Sequence, residues 1–298
     1  MKILVMPNEL STIDNFKDSA GFIVGIKDFS WFVPLEVTID DLSALVPKLK
    51  EDKKEIYVSL NKLMYNQDIP LLKEYLLVIE NIGVSGIMYD DLAIFNLAKS
   101  LSLKTPLVWF GNHSFTSSYT ANYWYKKGVK YGLLSTEITL DHIKEISENT
   151  DMPLMMYGYG YLPMFVSSRS LLSSYFEHIG SNKEDKTYHM YDEARKMSYP
   201  TYEGATGTII LSSEIINTIN ELPIINNAVD YLILSSLNIP NDNFKNVYHH
   251  YVNALKQLAS KDILGEISNK VTEYSPVKTD KGFLYKETVY RVKNDGER

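Results

Sequence analysis

The sequence predicts an α/β protein, a TIM-like (β/α)8 barrel with a small β insertion between the seventh helix and the eighth strand. Three observations predict it. Eight short apolar, β-rich runs are each followed by a turn and a helix-period segment, the pattern of right-handed crossovers onto a parallel sheet. These eight units occupy about 250 residues, the usual length of such a barrel. No Gly-rich phosphate loop follows an early strand, as a doubly wound open sheet would usually show.

The predicted strands are 2–6, 22–26, 56–60, 85–89, 107–110, 131–134, 154–157 and 231–234. A weak helix near 12–19 follows the first. Thr38 N-caps a helix over 39–50, and Leu71, Leu72, Tyr75, Leu76 and Ile79 give 69–82 an apolar stripe at helical spacing. Helices follow over 92–101, over 119–127 with Gly128 at its C-terminus, and over 140–148 behind Thr139. The seventh and eighth helices are read over 170–178, closed by Gly180, and over 244–259. Residues 186–211 break the rhythm. Three short β runs and the tip Tyr202-Glu203-Gly204-Ala205-Thr206-Gly207-Thr208 make them a β insertion. Residues 260–298 form a C-terminal extension in which 285–292 alternate as one more strand. No linker divides the chain, so 1–298 is read as a single barrel domain.

Composition narrows the chemistry. The chain has 298 residues, 45% hydrophobic and 22% charged, with a formal net charge of −7. Such a balance argues against coating nucleic acid by overall charge and leaves room for a local basic patch. There is no cysteine, hence no disulfide, thiolate metal site, iron–sulfur ligand or thiol nucleophile from this chain. The N-terminus is a poor signal peptide and no run is long enough to span a membrane, so a cytoplasmic protein is expected.

In such a barrel, function collects at the C-terminal ends of the strands. There the sequence places Asn61, the pair Asp90 and Asp91, Asn112 and His113, Ser135, Thr136 and Glu137, then Tyr157 to Tyr161. These residues read equally as a polar pocket or as helix N-caps, except Glu137, a poor cap. His113 has no partner carboxylate nearby in sequence. His249 and His250 are adjacent on one helix, face different ways, and make a poor metal site. Ser167-Ser168-Arg169-Ser170 opens the seventh helix, where free N–H groups and Arg169 could hold an anion. No Walker loop, HExxH, GxSxG or EF-hand pattern is present.

The stretch 159–175, YGYLPMFVSSRSLLSSY, resembles the signature of the peptidase U32 family, the collagenase-like proteases. Gly160, Ser167, Leu171, Leu172 and Ser173 match it in register. Tyr159 stands at the family's His, and Pro163 and Ser170 stand at two of its cysteines. Asn61, Asp91-Leu92, Asn112, Glu137 and Gly207-Thr208 with Ser213 fit further family segments, and Asn217 stands at a third cysteine. The ending from Gly282 to Tyr290 is similar to that of the short Firmicutes branch, so the likeness extends over 21–292.

The resemblance implies a TIM-like fold. It also implies proteolysis in some members and hydroxylation of RNA bases, such as the wobble uridine of tRNA, or of a quinone precursor in others. The hydroxylating members carry an iron–sulfur cluster on four cysteines, which this chain lacks. The expectation is therefore a barrel that supports tRNA uridine hydroxylation beside a cysteine-containing paralogue, with no cofactor of its own. It would bind tRNA or a small organic anion. Glu137, Tyr159 and Asp91 are the catalytic candidates, and Asn61, Asn112, Arg169, Ser167 and Tyr161 the substrate contacts, with Tyr159 and Tyr161 stacking on a base. The alternatives are a literal peptidase, using a water activated by Glu137 or Asp91, and a non-catalytic binding or assembly subunit.

Overall fold

A computed structural model describes residues 1–111, 113–184, 186–258 and 261–286. In chain order the elements begin with β1 (Lys2–Met6), β2 (Gly21–Ile26), β3 (Glu36–Val37), α1 (Ile39–Glu51), β4 (Glu55–Leu60), α2 (Ile69–Ile82), β5 (Gly86–Tyr89) and α3 (Leu92–Ser100). They continue with β6 (Leu107–Phe110), α4 (Ser118–Lys126), β7 (Tyr131–Leu133), α5 (Leu140–Glu148), β8 (Leu154–Gly160), β9 (Pro163–Ser167) and α6 (Leu171–His178). The rest are β10 (Tyr188–Asp192), β11 (Met197–Gly204), β12 (Gly207–Leu211), β13 (Ile215–Asn217), α7 (Leu222–Ile225), β14 (Tyr231–Ser235), α8 (Asn241–Lys256), α9 (Lys261–Glu273) and β15 (Thr279–Asp280).

Eight parallel strands run β14-β1-β2-β4-β5-β6-β7-β8, and β8 pairs back onto β14 to close the barrel. The strands are buried on both faces, which is why they read as near-continuous apolar runs and not as alternating ones. The N-terminal end is sealed by Tyr57, Tyr131 and Tyr231, packed edge to face. One Glu55 oxygen accepts both the Tyr57 and Tyr231 hydroxyls at 2.8 Å, and Lys2 pairs with the other oxygen at 2.9 Å. Caps set the helix starts. Thr38 and Asp41 form a reciprocal capping box on α1, and Asp91, Ser117 and Thr139 cap α3, α4 and α5.

The structure departs from the sequence reading in several places, among them α9, a helix in the C-terminal extension for which only a strand is expected. The weak helix near 12–19 is a single 3-10 helix, Leu10–Asn15, with no side-chain cap. The helix expected at 170–178 as the seventh barrel helix is α6, which buries no residue. It belongs to the insertion, a four-stranded antiparallel sheet ordered β10-β11-β12-β9. That sheet is wider than 186–211, because Pro163–Ser167 supplies its fourth strand by pairing with β12. The hairpin tip is as read: Gly204 pairs with Gly207, whose φ of 123° suits glycine. The chain returns through β13, antiparallel to β8, and the short α7 leads into β14. In the predicted tail strand, residues 287–292 lie outside the described residues.

Candidate functional site

The mouth of the barrel is built from the segments that follow the strands. After β2, Phe29, Ser30, Trp31 and Phe32 are all buried and plug one side. Asn61, one residue past β4, holds this plug: its amide oxygen accepts the Trp31 N–H and its nitrogen donates to the Trp31 carbonyl, both at 3.1 Å. Asp28 and Phe32 adopt φ values of 68° and 57°, so the plug carries backbone strain that its packing must hold. Phe32 packs its edge against Tyr157, ring centroids 5.8 Å apart. The Tyr157 hydroxyl is buried and has no hydrogen-bond partner among the described residues.

The other side carries the titratable groups. Tyr89, the last residue of β5, packs outward on Phe95 and Trp124, and Asp90 follows it as a half-buried residue at the strand end. Burial, then the neighbouring Asp91 charge, raises the Asp90 carboxyl to about 6. Asp91 is committed to structure: its oxygens accept the Ala93 N–H at 2.8 Å, capping α3, and the Met64 N–H at 2.9 Å. His113 and Glu137, three and four residues past β6 and β7, meet at 3.1 Å between Nδ1 and Oε1. Glu137 thereby orients the imidazole and leaves Nε2 as the nitrogen that can exchange a proton with a ligand. Both side chains are more than a third exposed, so the pair adds little stability and is open to solvent. The signal for this pair lay in the sequence: the two residues end consecutive strands, and consecutive parallel strands are neighbours.

The insertion leans over this mouth. The Tyr65 hydroxyl, in the segment after β4, bonds the Ser168 hydroxyl at 2.6 Å. Since β4 and β8 stand opposite each other in the eight-strand ring, this contact joins opposite sides of the mouth. Asp90, His113 and Glu137 lie on the intervening β5, β6 and β7 side. Arg169 follows Ser168, and its side chain is exposed.

The start of α6 is not the open anion site expected. Two of its first N–H groups are already taken by side chains: Ser173 donates to Glu203, and Leu171 donates to Thr208 Oγ1 at 3.0 Å. Burial pushes the Glu203 carboxyl up, but Lys183 and Ser173 outweigh it and hold it down at about 2. Ser167 Oγ accepts the Arg169 N–H at 3.2 Å within a local turn. Tyr159 and Tyr161 are buried, which corrects their reading as base-stacking surfaces. Tyr159 packs on Phe244 and Tyr251 and bonds Ser275 Oγ at 2.8 Å. Asn112 lies outside the described residues. Arg169, His113 and Glu137 thus remain at the surface of the mouth, while Asn61, Asp91, Tyr159 and Tyr161 support its walls.

Residues 18–294 match the family model described as Peptidase family U32. The chain belongs to this family. It is 28% identical over 287 residues to tRNA hydroxylation protein P2 of Bacillus subtilis, covering 91% of this chain and 93% of that protein. It is 23% identical over 146 residues to tRNA hydroxylation protein P1 of the same organism, covering 49% of this chain and 35% of the other. A solved U32 peptidase shares the fold, with a TM-score of 0.50 at 10% identity, covering 78% of this chain and 91% of that one.

The iron–sulfur cluster that the U32 resemblance implied does not fit this chain. No cysteine is present. Asn217, at one cluster position, is buried, with its amide nitrogen donating to Ser268 and its oxygen accepting the Tyr251 hydroxyl at 3.1 Å. Pro163 is buried at the start of β9 and has no donor atom to offer, and Ser170 precedes α6.

Proposed function

We infer that this U32 protein supports tRNA hydroxylation, and that a cysteine-containing member of the family supplies the redox centre. The carrying observation is end-to-end similarity to tRNA hydroxylation protein P2 in a chain without cysteine. Its own contribution is the half-mouth under the insertion. His113, oriented by Glu137, handles a proton at Nε2. Arg169 supplies a cation for an anionic group, and the Asp90 carboxyl, held near 6, changes charge close to neutral pH. Such a protein works on tRNA in the cytoplasm. Deleting the gene and measuring hydroxylated uridines in bulk tRNA by mass spectrometry tests this reading. A fall reversed by the wild-type gene supports it, and an unchanged level in a strain without a compensating homologue contradicts it.

The family name keeps a second reading in view, hydrolysis of peptides. It needs an activated nucleophile. Among the described residues no serine or threonine hydroxyl bonds His113, so at the mouth the nucleophile would be a water activated by Glu137 or His113. Gelatin digestion by the pure chain, lost on Glu137→Ala, would favour it.

A further inference from the structure

The acidic residues are distributed unevenly. The chain carries 37 of them, yet residues 92–136 contain none. The same 45 residues contain five lysines, Lys99, Lys104, Lys126, Lys127 and Lys130. A protein of net charge −7 therefore has one stretch, from α3 through β6 and α4 to β7, whose own formal charges are all cationic, although Glu80 of α2 reaches in to accept the Lys104 and Thr105 N–H groups. This is a local basic patch of the kind that overall charge leaves open.

The structure places aromatic rings in that stretch. Tyr119 is 88% exposed and Tyr123 is 55% exposed. They are four residues apart on α4 and so share a face. Trp124, the neighbour of Tyr123, is instead buried against Tyr89, Phe95 and Trp109, which anchors the helix and keeps the tyrosines turned outward. Lys126, Lys127 and Lys130 are all exposed at the far end of the helix, and the Lys127 ammonium lies 5.5 Å from the Tyr123 ring centre. Between α4 and the end of α5, Ser118, Tyr119, Asn122, Tyr123, Lys126 and Asn149 line a groove of about 500 Å³. Exposed tyrosines backed by lysines suit a nucleic-acid strand: the rings stack on bases and the ammonium groups meet phosphates. The exposed Asp141, Glu145 and Glu148 belong to the neighbouring α5, so charge favours a polyanion on the α3 side of α4. The strip begins beside the mouth, because Ser117 caps α4 only four residues after His113.

Resting on the tRNA reading above, we propose that the outer face of α4, with Tyr119, Tyr123, Lys126, Lys127 and Lys130, is the surface on which the RNA backbone docks while its target base reaches the mouth. The test is fluorescence anisotropy of a labelled, unmodified tRNA transcript with the full purified chain across a salt series. Replacing Lys126, Lys127 and Lys130 together by Gln lowers the slope of log affinity against log salt by about 2 to 3. Replacing Tyr119 or Tyr123 singly by Ala weakens binding about 5- to 100-fold and leaves the salt slope unchanged. A control carrying Lys48→Gln and Lys50→Gln on α1 binds like the wild type. All five target side chains are exposed, and circular dichroism confirms folding. If the strip variants bind as the wild type does, or the α1 control loses as much, the proposal is overturned while the hydroxylation reading stands on its nucleoside measurement. If the wild-type chain fails to bind the transcript at about 10 μM, in the range of ordinary non-specific binding, the docking surface is overturned.

Discussion

Tyr65 and Ser168 are hydrogen-bonded at 2.6 Å, although they belong to segments after strands on opposite sides of the barrel. The contact ties the start of the insertion across the barrel mouth, the end of the barrel that also carries Asp90, His113 and Glu137. Both groups are exposed, so the bond exchanges easily for bonds to water. Tyr65→Phe is expected to change global stability by less than about 1 kcal/mol. Amide hydrogen exchange should nevertheless accelerate over 163–178 and not in the barrel strands. Unchanged exchange in that segment would show that the contact does not hold the insertion.

Asn61 carries more. Its amide satisfies both backbone groups of buried Trp31, and its removal leaves an N–H and a carbonyl unpaired. Asn61→Ala should cost about 2 to 4 kcal/mol in urea unfolding and shift the fluorescence of Trp31, read in a background where Trp109 and Trp124 are replaced by Phe. A cost below about 0.5 kcal/mol would mean the plug is held by packing alone.

Asp90 predicts a pH dependence. Its folded pKa, about 6, lies above the ordinary aspartate value. Between about pH 4 and pH 6 the folded state therefore binds more protons than the unfolded state, and stability falls as pH rises through that window. Asp90→Asn should remove this fall and leave the protein more stable at pH 7, by on the order of 2 kcal/mol. Urea midpoints measured from pH 4 to 8 check it, and a variant no more stable at pH 7 would contradict it.

Glu203 works in the opposite sense. Its carboxyl is lowered to about 2 by Lys183 and Ser173 against the upward push of burial. The stability it gives is present above about pH 4 and is lost as pH falls from there through 2. Exchange in α6 and β12 should rise on acidification across that range, and Glu203→Gln should show the raised exchange already at neutral pH. Equal protection in wild type and variant would remove Glu203 from the cap of α6.

Much of this was legible beforehand. All eight barrel strands lie where apolar runs placed them, and α2 and α5 have the expected bounds, because periodicity and caps act locally. The seventh crossover was misread because 170–178 has a helical pattern, and a local pattern does not say which body a helix packs on. Tyr159 and Tyr161 were read as exposed for a similar reason: strand-end position does not tell inward from covered, and α8 covers Tyr159. His113 and Glu137 were each visible, but their meeting needs the strand order. The Tyr65–Ser168 contact spans 103 residues and left no trace in local sequence.

We propose that the mouth residues His113, Glu137 and Arg169 serve tRNA hydroxylation. The most direct test is to restore a deletion strain with wild type, His113→Ala, Glu137→Gln or Arg169→Ala at matched protein levels and to quantify hydroxylated uridine in tRNA. Wild type should restore the nucleoside, and each variant should fall well short of it. Full restoration by all three variants would contradict the claim.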